Sequence, residues 1–143
     1  MAERGVDRPG RATGGGRADA AGAAPDAARA FFAGRPVGLA ALARVEEILD
    51  AAGPWSIRTT RSQVAFRRTR GFAYLWDPAR YLVRPAVEVV LTIALGRHDP
   101  SPRFKEVVHP SPRHWMHHLE IREAADVDAE VAAWLREAWE RAG

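Results

Sequence analysis

Apolar residues recur at helical spacing in two stretches of this chain. In the first, Leu39, Leu42, Val45, Leu49 and Ala52 line one side, with Arg44, Glu47 and Asp50 on the other. Pro36 suits the opening turn of such a helix, and Gly53-Pro54 closes it. In the second, Val127, Val131, Trp134, Leu135 and Ala138 form the stripe of a final helix starting near Asp126, a good N-cap. Trp134 and Leu135 read as core, Trp139 as marginal. Between the two helices lie short β-type runs at 55–60, 63–67, 72–76, 87–95 and 115–122. Arg68-Thr69-Arg70-Gly71 joins the second and third as a hairpin, with Gly71 at the position that demands an unusual backbone. The order helix, strands, helix predicts an α+β fold: an antiparallel sheet with helices packed on one face, a two-layer sandwich.

Alternation divides each strand between two faces. Val64 and Phe66, then Val89, Leu91 and Ile93, then His117, Leu119 and Ile121 should meet the helices. The other face offers Gln63, Ala65 and Arg67, then Glu88, Val90, Thr92 and Ala94, then Met116, His118 and Glu120. It is small in the middle and polar around it, which describes either a solvated sheet face or a shallow groove. Residues 96–113 form a long loop containing Pro100, Pro102, Pro110 and Pro112. The loop should be ordered, with 104–108 a short extended or helical piece over one end of the sheet. It should carry Arg103 and Lys105 across the outer face. Residues 1–27 lack an apolar period and read as a disordered Gly/Ala/Arg-rich tail, leaving 28–143 as a single domain.

Charge changes this picture in one region. Residues 58–105 hold ten basic side chains and three acids, a net of +7 in a chain whose total is +3. Phe66, Phe72, Tyr74, Trp76, Tyr81 and Phe104 are threaded through it. A basic, aromatic surface points to an anionic ligand or nucleic acid as partner. Arg61, Arg67, Arg68 and Arg70 are the candidate phosphate contacts, with Tyr74 or Trp76 stacking on a base. The competing reading is internal: residues 119–143 carry seven acids and three arginines, a match for the basic surface within one molecule or between two.

Several chemistries are excluded by what the chain lacks. It has no cysteine, hence no disulfide, thiolate nucleophile or cysteine-based zinc site. No apolar run reaches the ~18 residues of a membrane span, and no secretory signal is visible, so the cytoplasm is the expected compartment and no membrane partner is expected. The single lysine, Lys105, follows Phe104 and stands two residues after Arg103. That rules out a P-loop and the acid-x-Lys element of restriction-type nucleases. His114, His117 and His118 match no zinc spacing, and alternation sends His117 and His118 to opposite faces, the first structural and the second at the surface. No catalytic residue, metal or cofactor is assigned.

Thr60-Arg61-Ser62-Gln63-Val64-Ala65-Phe66, Arg70-Gly71-Phe72-Ala73, Ser101-Pro102-Arg103-Phe104-Lys105-Glu106-Val107 and Met116-His117-His118-Leu119-Glu120-Ile121, in that order, resemble the bacterial domain-of-unknown-function family 5655. Phe31-Phe32-Ala33-Gly34-Arg35-Pro36 fits the start of that family, and the resemblance spans nearly all of 31–142. It implies a small α+β domain, in some members fused to restriction-associated proteins, and no established activity. The polar positions of those motifs, Ser62, Gln63, Arg103, Lys105 and His118, become candidates by location. With Arg67 and Thr92 they make the expected ligand site. The leading expectation is a non-catalytic domain binding a ligand or anion through its sheet face and loop. A protein-interaction or self-associating module is the alternative, and an enzyme using His118 and Arg103 the least favoured.

Overall fold

A computed structural model describes residues 23–143. Most of the expected N-terminal tail, residues 1–22, lies outside the described residues. The described elements are α1 (Ala23–Phe31), α2 (Pro36–Ala52), β1 (Ser56–Thr59), β2 (Gln63–Arg67), β3 (Gly71–Trp76), β4 (Val89–Leu95), β5 (Glu106–Ser111), β6 (His114–Ile121) and α3 (Ala129–Arg141). Single 3-10 turns stand at Pro78–Arg80 and Ala124–Asp126. The six strands form one antiparallel sheet in the order β1-β2-β3-β4-β6-β5, and the helices cover one face, as the sequence predicts.

The covered face carries the expected alternating rows. Val64 lies opposite Leu75, Leu75 opposite Leu91, and Leu91 opposite Leu119. All four are at most 3% exposed. Leu42, Val45 and Leu49 of α2 and Val131, Leu135 and Ala138 of α3 close over them. Burying each aliphatic side chain of this kind contributes about 1.5–3 kcal/mol. A bulge sets Phe72 and Ala73 together opposite Phe66, and Phe72 joins the core.

Four details differ from the sequence reading. Helix α1 begins at Ala23, ahead of the expected domain boundary. Its first residues, Ala23-Ala24-Pro25-Asp26, offer no apolar stripe to see. Helix α3 begins at Ala129, and its N-cap is Asp128, whose carboxylate accepts the Val131 N–H at 3.1 Å. Asp126 instead closes the 3-10 turn before it, accepting the N–H groups of Arg122 and Glu123. Gly71 has no positive φ. It matters for space, since a Cβ there would stand 2.5 Å from the Tyr74 hydroxyl. Finally, the proline-rich loop contains a strand. β5 pairs with β6 at the edge of the sheet, where Pro110 is tolerated because no further strand needs its missing N–H. The register breaks between Val108 and Ser111, across that proline.

The remaining loop, 96–105, is tied to α3. Arg97 forms a fork with Glu137 at 2.8 Å through both nitrogens. Arg103 contacts Asp128 and Glu130 at 3.1 and 2.9 Å. Phe104 packs against Trp134 with ring centres 4.5 Å apart. The acidic end of the chain therefore does match basic groups of the loop, within one molecule.

Candidate functional site

Among the described residues no helix covers the second face of the sheet. One cross-strand row runs Arg58, Ala65, Tyr74, Thr92, His118, Glu106 from edge to edge. The neighbouring row runs Gln63, Trp76, Val90, Glu120. Ala65, Val90, Thr92 and Ala94 are nearly buried although none of the described helices lies above them. The larger side chains on either side shield them, so the face is a shallow trough with a floor of small residues.

A chain of hydrogen bonds crosses this floor. The Trp76 indole N–H donates to Thr92 Oγ1 at 2.8 Å, and Thr92 Oγ1 lies 2.7 Å from His118 Nδ1. An indole can only donate, so the Thr92 oxygen accepts from it. The Thr92 hydroxyl proton is then satisfied by donating to His118 Nδ1, since a buried hydroxyl needs an acceptor. Nδ1 as acceptor places the imidazole proton on Nε2, which becomes the ring's donor. Burial holds the His118 imidazole below its ordinary value, against the pull of Glu106 on β5. The ring is thus neutral near pH 7. The Trp76 ring meets His118 edge-to-face at 5.6 Å and Tyr81 at 5.7 Å.

The candidate residues separate into three groups. Thr92 and His118 meet directly. Gln63 shares their face but stands two strands from Thr92 and three from His118, beside Trp76. Its side chain is nearly buried and its Nε2 has no hydrogen-bond partner. Arg67 lies on the same face, opposite Ser56 and toward the hairpin. Ser62 serves the β1–β2 turn, its hydroxyl 3.4 Å from Thr60 Oγ1. Lys105 reaches Glu120 at 3.3 Å.

Arg103 does not join the trough. Its guanidinium lies on the helix side, bonded to Asp128, Glu130 and the Asp126 carbonyl at 2.9 Å, and over the Trp134 ring. Three acceptors clustered at the start of α3 outcompete an open sheet face. The expected convergence of Gln63, Thr92, Arg103 and His118 at one point is therefore corrected to Trp76, Thr92 and His118. Trp76 entered the sequence reading as a base-stacking or core residue. Its neighbour one strand away was not legible without register.

The proposed phosphate contacts divide too. Arg61 is exposed in the β1–β2 turn. Arg68 donates to the Trp139 carbonyl and Arg70 to the Arg141 carbonyl, both at 2.9 Å. Both cap the C-terminus of α3, where cations are favoured by the helix dipole.

His117 has the structural role expected of it. Fully buried, it donates from Nδ1 to the Trp115 carbonyl at 2.9 Å and accepts the Asp99 N–H on Nε2 at 3.0 Å. Burial lowers its pKa more than these contacts raise it. Among the described residues no group of three histidine or carboxylate side chains is placed to hold a metal ion.

A cleft of about 490 Å³ opens elsewhere, where the start of α2 meets the segment before β4. Val37, Val87 and Ile121 line it, with Arg35, Glu88 and Arg122. Its charges are largely spent internally. Arg35 pairs with Asp77 at 2.8 Å, and Glu88 accepts the Val37 N–H at the start of α2 at 3.0 Å. None of the sequence-predicted candidates lines it.

Among the described residues no helix is long and apolar enough to cross a membrane. Neither the curated proteins nor the solved structures contain a match to this chain. The family assignment rests on a family model that matches residues 28–142, and it shows that the chain belongs to DUF5655, the domain of unknown function (DUF5655).

Proposed function

We propose that this domain is a non-catalytic binding module whose ligand lies in the trough on the helix-free face of the sheet. The observation that carries this is the Trp76–Thr92–His118 chain. It fixes an aromatic wall and a neutral imidazole over a floor of small side chains. The chain ends on the His118 Nε2–H, the donor that this reading gives to the ligand. The ligand it suits is small, with an aromatic or apolar ring against Trp76 and Tyr81 and an acceptor atom on His118, such as a carboxylate or phosphate oxygen. The ligand's charge is met at the margin of the trough by Arg67, toward the hairpin.

The test is a thermal-shift screen with aromatic carboxylates, nucleotides and inorganic anions, because a ligand that binds the native state raises its melting temperature. A hit should perturb the His118 imidazole resonances and weaken in Thr92→Val and His118→Ala. A hit unaffected by both substitutions would place the ligand elsewhere. No hit in any class would count against the trough.

A second reading has its own support. Tyr81, Leu82 and Val83 are 64%, 52% and 96% exposed. Three consecutive exposed apolar side chains beside Trp76 are what a protein-docking loop presents. Analytical ultracentrifugation of the chain and of Leu82→Ser/Val83→Ser tests its self-association form.

A further inference from the structure

We infer that the end of the molecule where the β2–β3 hairpin, the β5–β6 turn and the C-terminus of α3 meet binds the phosphodiester backbone of a nucleic acid. This surface is separate from the trough. Three hydrogen bonds assemble it. Arg68 donates to the Trp139 carbonyl and Arg70 to the Arg141 carbonyl, both at 2.9 Å. Arg141 in turn donates to the Arg113 carbonyl at 2.6 Å. The hairpin's Arg68 and Arg70 are thus brought together with Arg113 and Arg141, which are distant in sequence. The Thr69 N–H seals the hairpin onto α3 through the Ala142 carbonyl at 3.0 Å.

What distinguishes this end is the lack of carboxylate pairs among its arginines, although Glu137 pulls on Arg141 from a distance. Arg97, Arg103, Arg122 and Lys105 each pair with a carboxylate. Among the described residues, Arg68, Arg70, Arg113 and Arg141 have no such partner. Arg68, Arg70 and Arg141 donate instead to backbone carbonyls, and Arg68 also lies over the Trp139 ring at 3.8 Å. A guanidinium carries five N–H donors, and one carbonyl uses one of them. Arg70 and Arg113 are exposed, while the Arg68 guanidinium lies against Gly143 and that of Arg141 against Gly96. The cations also disfavour one another. Burial, then Arg141, Arg70 and Arg113, lower the pKa of His114, which stands among them. Burial and Arg70 likewise lower that of Arg141. Helix-end carbonyls offset part of this repulsion. A bound anion would relieve the rest.

The extent of the cluster favours a chain of phosphates over a single one. The four guanidiniums come from three places, the β2–β3 hairpin, the β5–β6 turn and α3. Guanidinium forks match phosphate oxygens, and four such contacts give a log–log salt slope of about −3 on single strands and about −3.5 on duplex.

The experiment is fluorescence anisotropy of a labelled mixed-sequence DNA strand, its duplex and the corresponding RNA, titrated with the full chain across a salt series. Arg113→Glu is the informative variant. Arg113 is exposed and is held through its carbonyl rather than its guanidinium, so folding should be unaffected, and a thermal melt verifies that. Binding should weaken roughly tenfold and the salt slope should flatten by about 1 to 2. Arg70→Gln should act in the same direction. No binding at low salt overturns the inference, as does an Arg113→Glu protein that binds like the parent. Displacement of the strand by inorganic phosphate at equal phosphate concentration also overturns it, and assigns the cluster to free phosphate.

Discussion

The Asp99 carboxylate accepts the indole N–H of Trp134 at 3.0 Å. The same carboxylate takes the Ser101 N–H at 2.9 Å and Arg97 at 3.0 Å, while the Asp99 N–H bonds to buried His117. One short acidic side chain therefore joins the β4–β5 loop to α3, and its own backbone joins that loop to β6. Burial alone would raise the Asp99 pKa, but the three donors outweigh it and the group stays below its ordinary value. The loop lacks repeating backbone bonds, so these side-chain bonds hold it.

Asp99→Ala should consequently cost about 1.5–3 kcal/mol, the range for hydrogen bonds to a mostly buried charged group. Trp134→Phe keeps most of the packing and loses only the donor. In a double-mutant cycle by urea denaturation the two should couple by about 1 kcal/mol or more. Additive costs would show that the bond contributes nothing.

Trp134→Ala should cost about 3–5 kcal/mol, as deletion of a buried aromatic does. Trp134 is 6% exposed and lies against Phe104. Trp139 is only half-buried, and Trp139→Ala should cost less, even though it also loses the bond to the Pro54 carbonyl at 2.9 Å. The reverse order in denaturation midpoints would contradict the packing described here.

Gly53 ends α2 with φ at 151°, and a Cβ there would stand 2.5 Å from the Trp139 ring. Gly53→Ala combines backbone strain with a clash and should cost about 2–4 kcal/mol. Gly34, with φ at 77° and nothing near its absent Cβ, separates the two effects. Gly34→Ala should cost only about 1–2 kcal/mol. Equal melting temperatures for the two variants would rule out the ring contact as a constraint.

Thr92→Val keeps the shape of the trough floor and removes the oxygen shared by Trp76 and His118. The loss should be about 1 kcal/mol, near the lower limit for a lost hydrogen bond, because the half-exposed indole can turn to water. The sharper readout is nitrogen NMR of the imidazole. In the parent, His118 should show a protonated Nε2 and an acceptor Nδ1, and in the variant a mixture of tautomers. An unchanged spectrum would mean that Thr92 does not set the tautomer.

Stability should depend on pH in two windows. His114, His117 and His118 all lie below their ordinary value of 6.5, chiefly through burial. The unfolded chain then takes up protons at a pH where the folded chain does not. Their contribution is complete above 6.5 and is lost as pH falls from there toward the depressed folded values. Asp99 and Asp128 lie below 3.8, so their contribution persists to lower pH and is lost as pH falls below that value. Melting temperature should be level above about pH 7, decline toward about pH 5 and decline again below about pH 4. A flat profile between pH 7 and 5 would show that the buried imidazoles do not resist protonation.

The chain by itself determined the layers. Leu42, Val45 and Leu49 on one side of a helix, and Val64, Phe66, Leu91 and Ile93 at alternate strand positions, can be buried together in only one way. Local periodicity is therefore enough to assign the faces, including His117 inward and His118 outward. β5 was less legible because Pro110 and Pro112 read as loop, and only an edge position makes them compatible with pairing. Charge was the least legible property. Residues 58–105 look uniformly basic along the sequence, but Arg97 and Arg103 find carboxylates on α3 and Lys105 finds Glu120. Arg68 and Arg70 instead meet Arg113 and Arg141. Which cations are neutralised and which are gathered depends on distances across the fold, since Coulomb and hydrogen-bond energies act through space and not along the chain. Only strand register could set Trp76, Thr92 and His118 side by side.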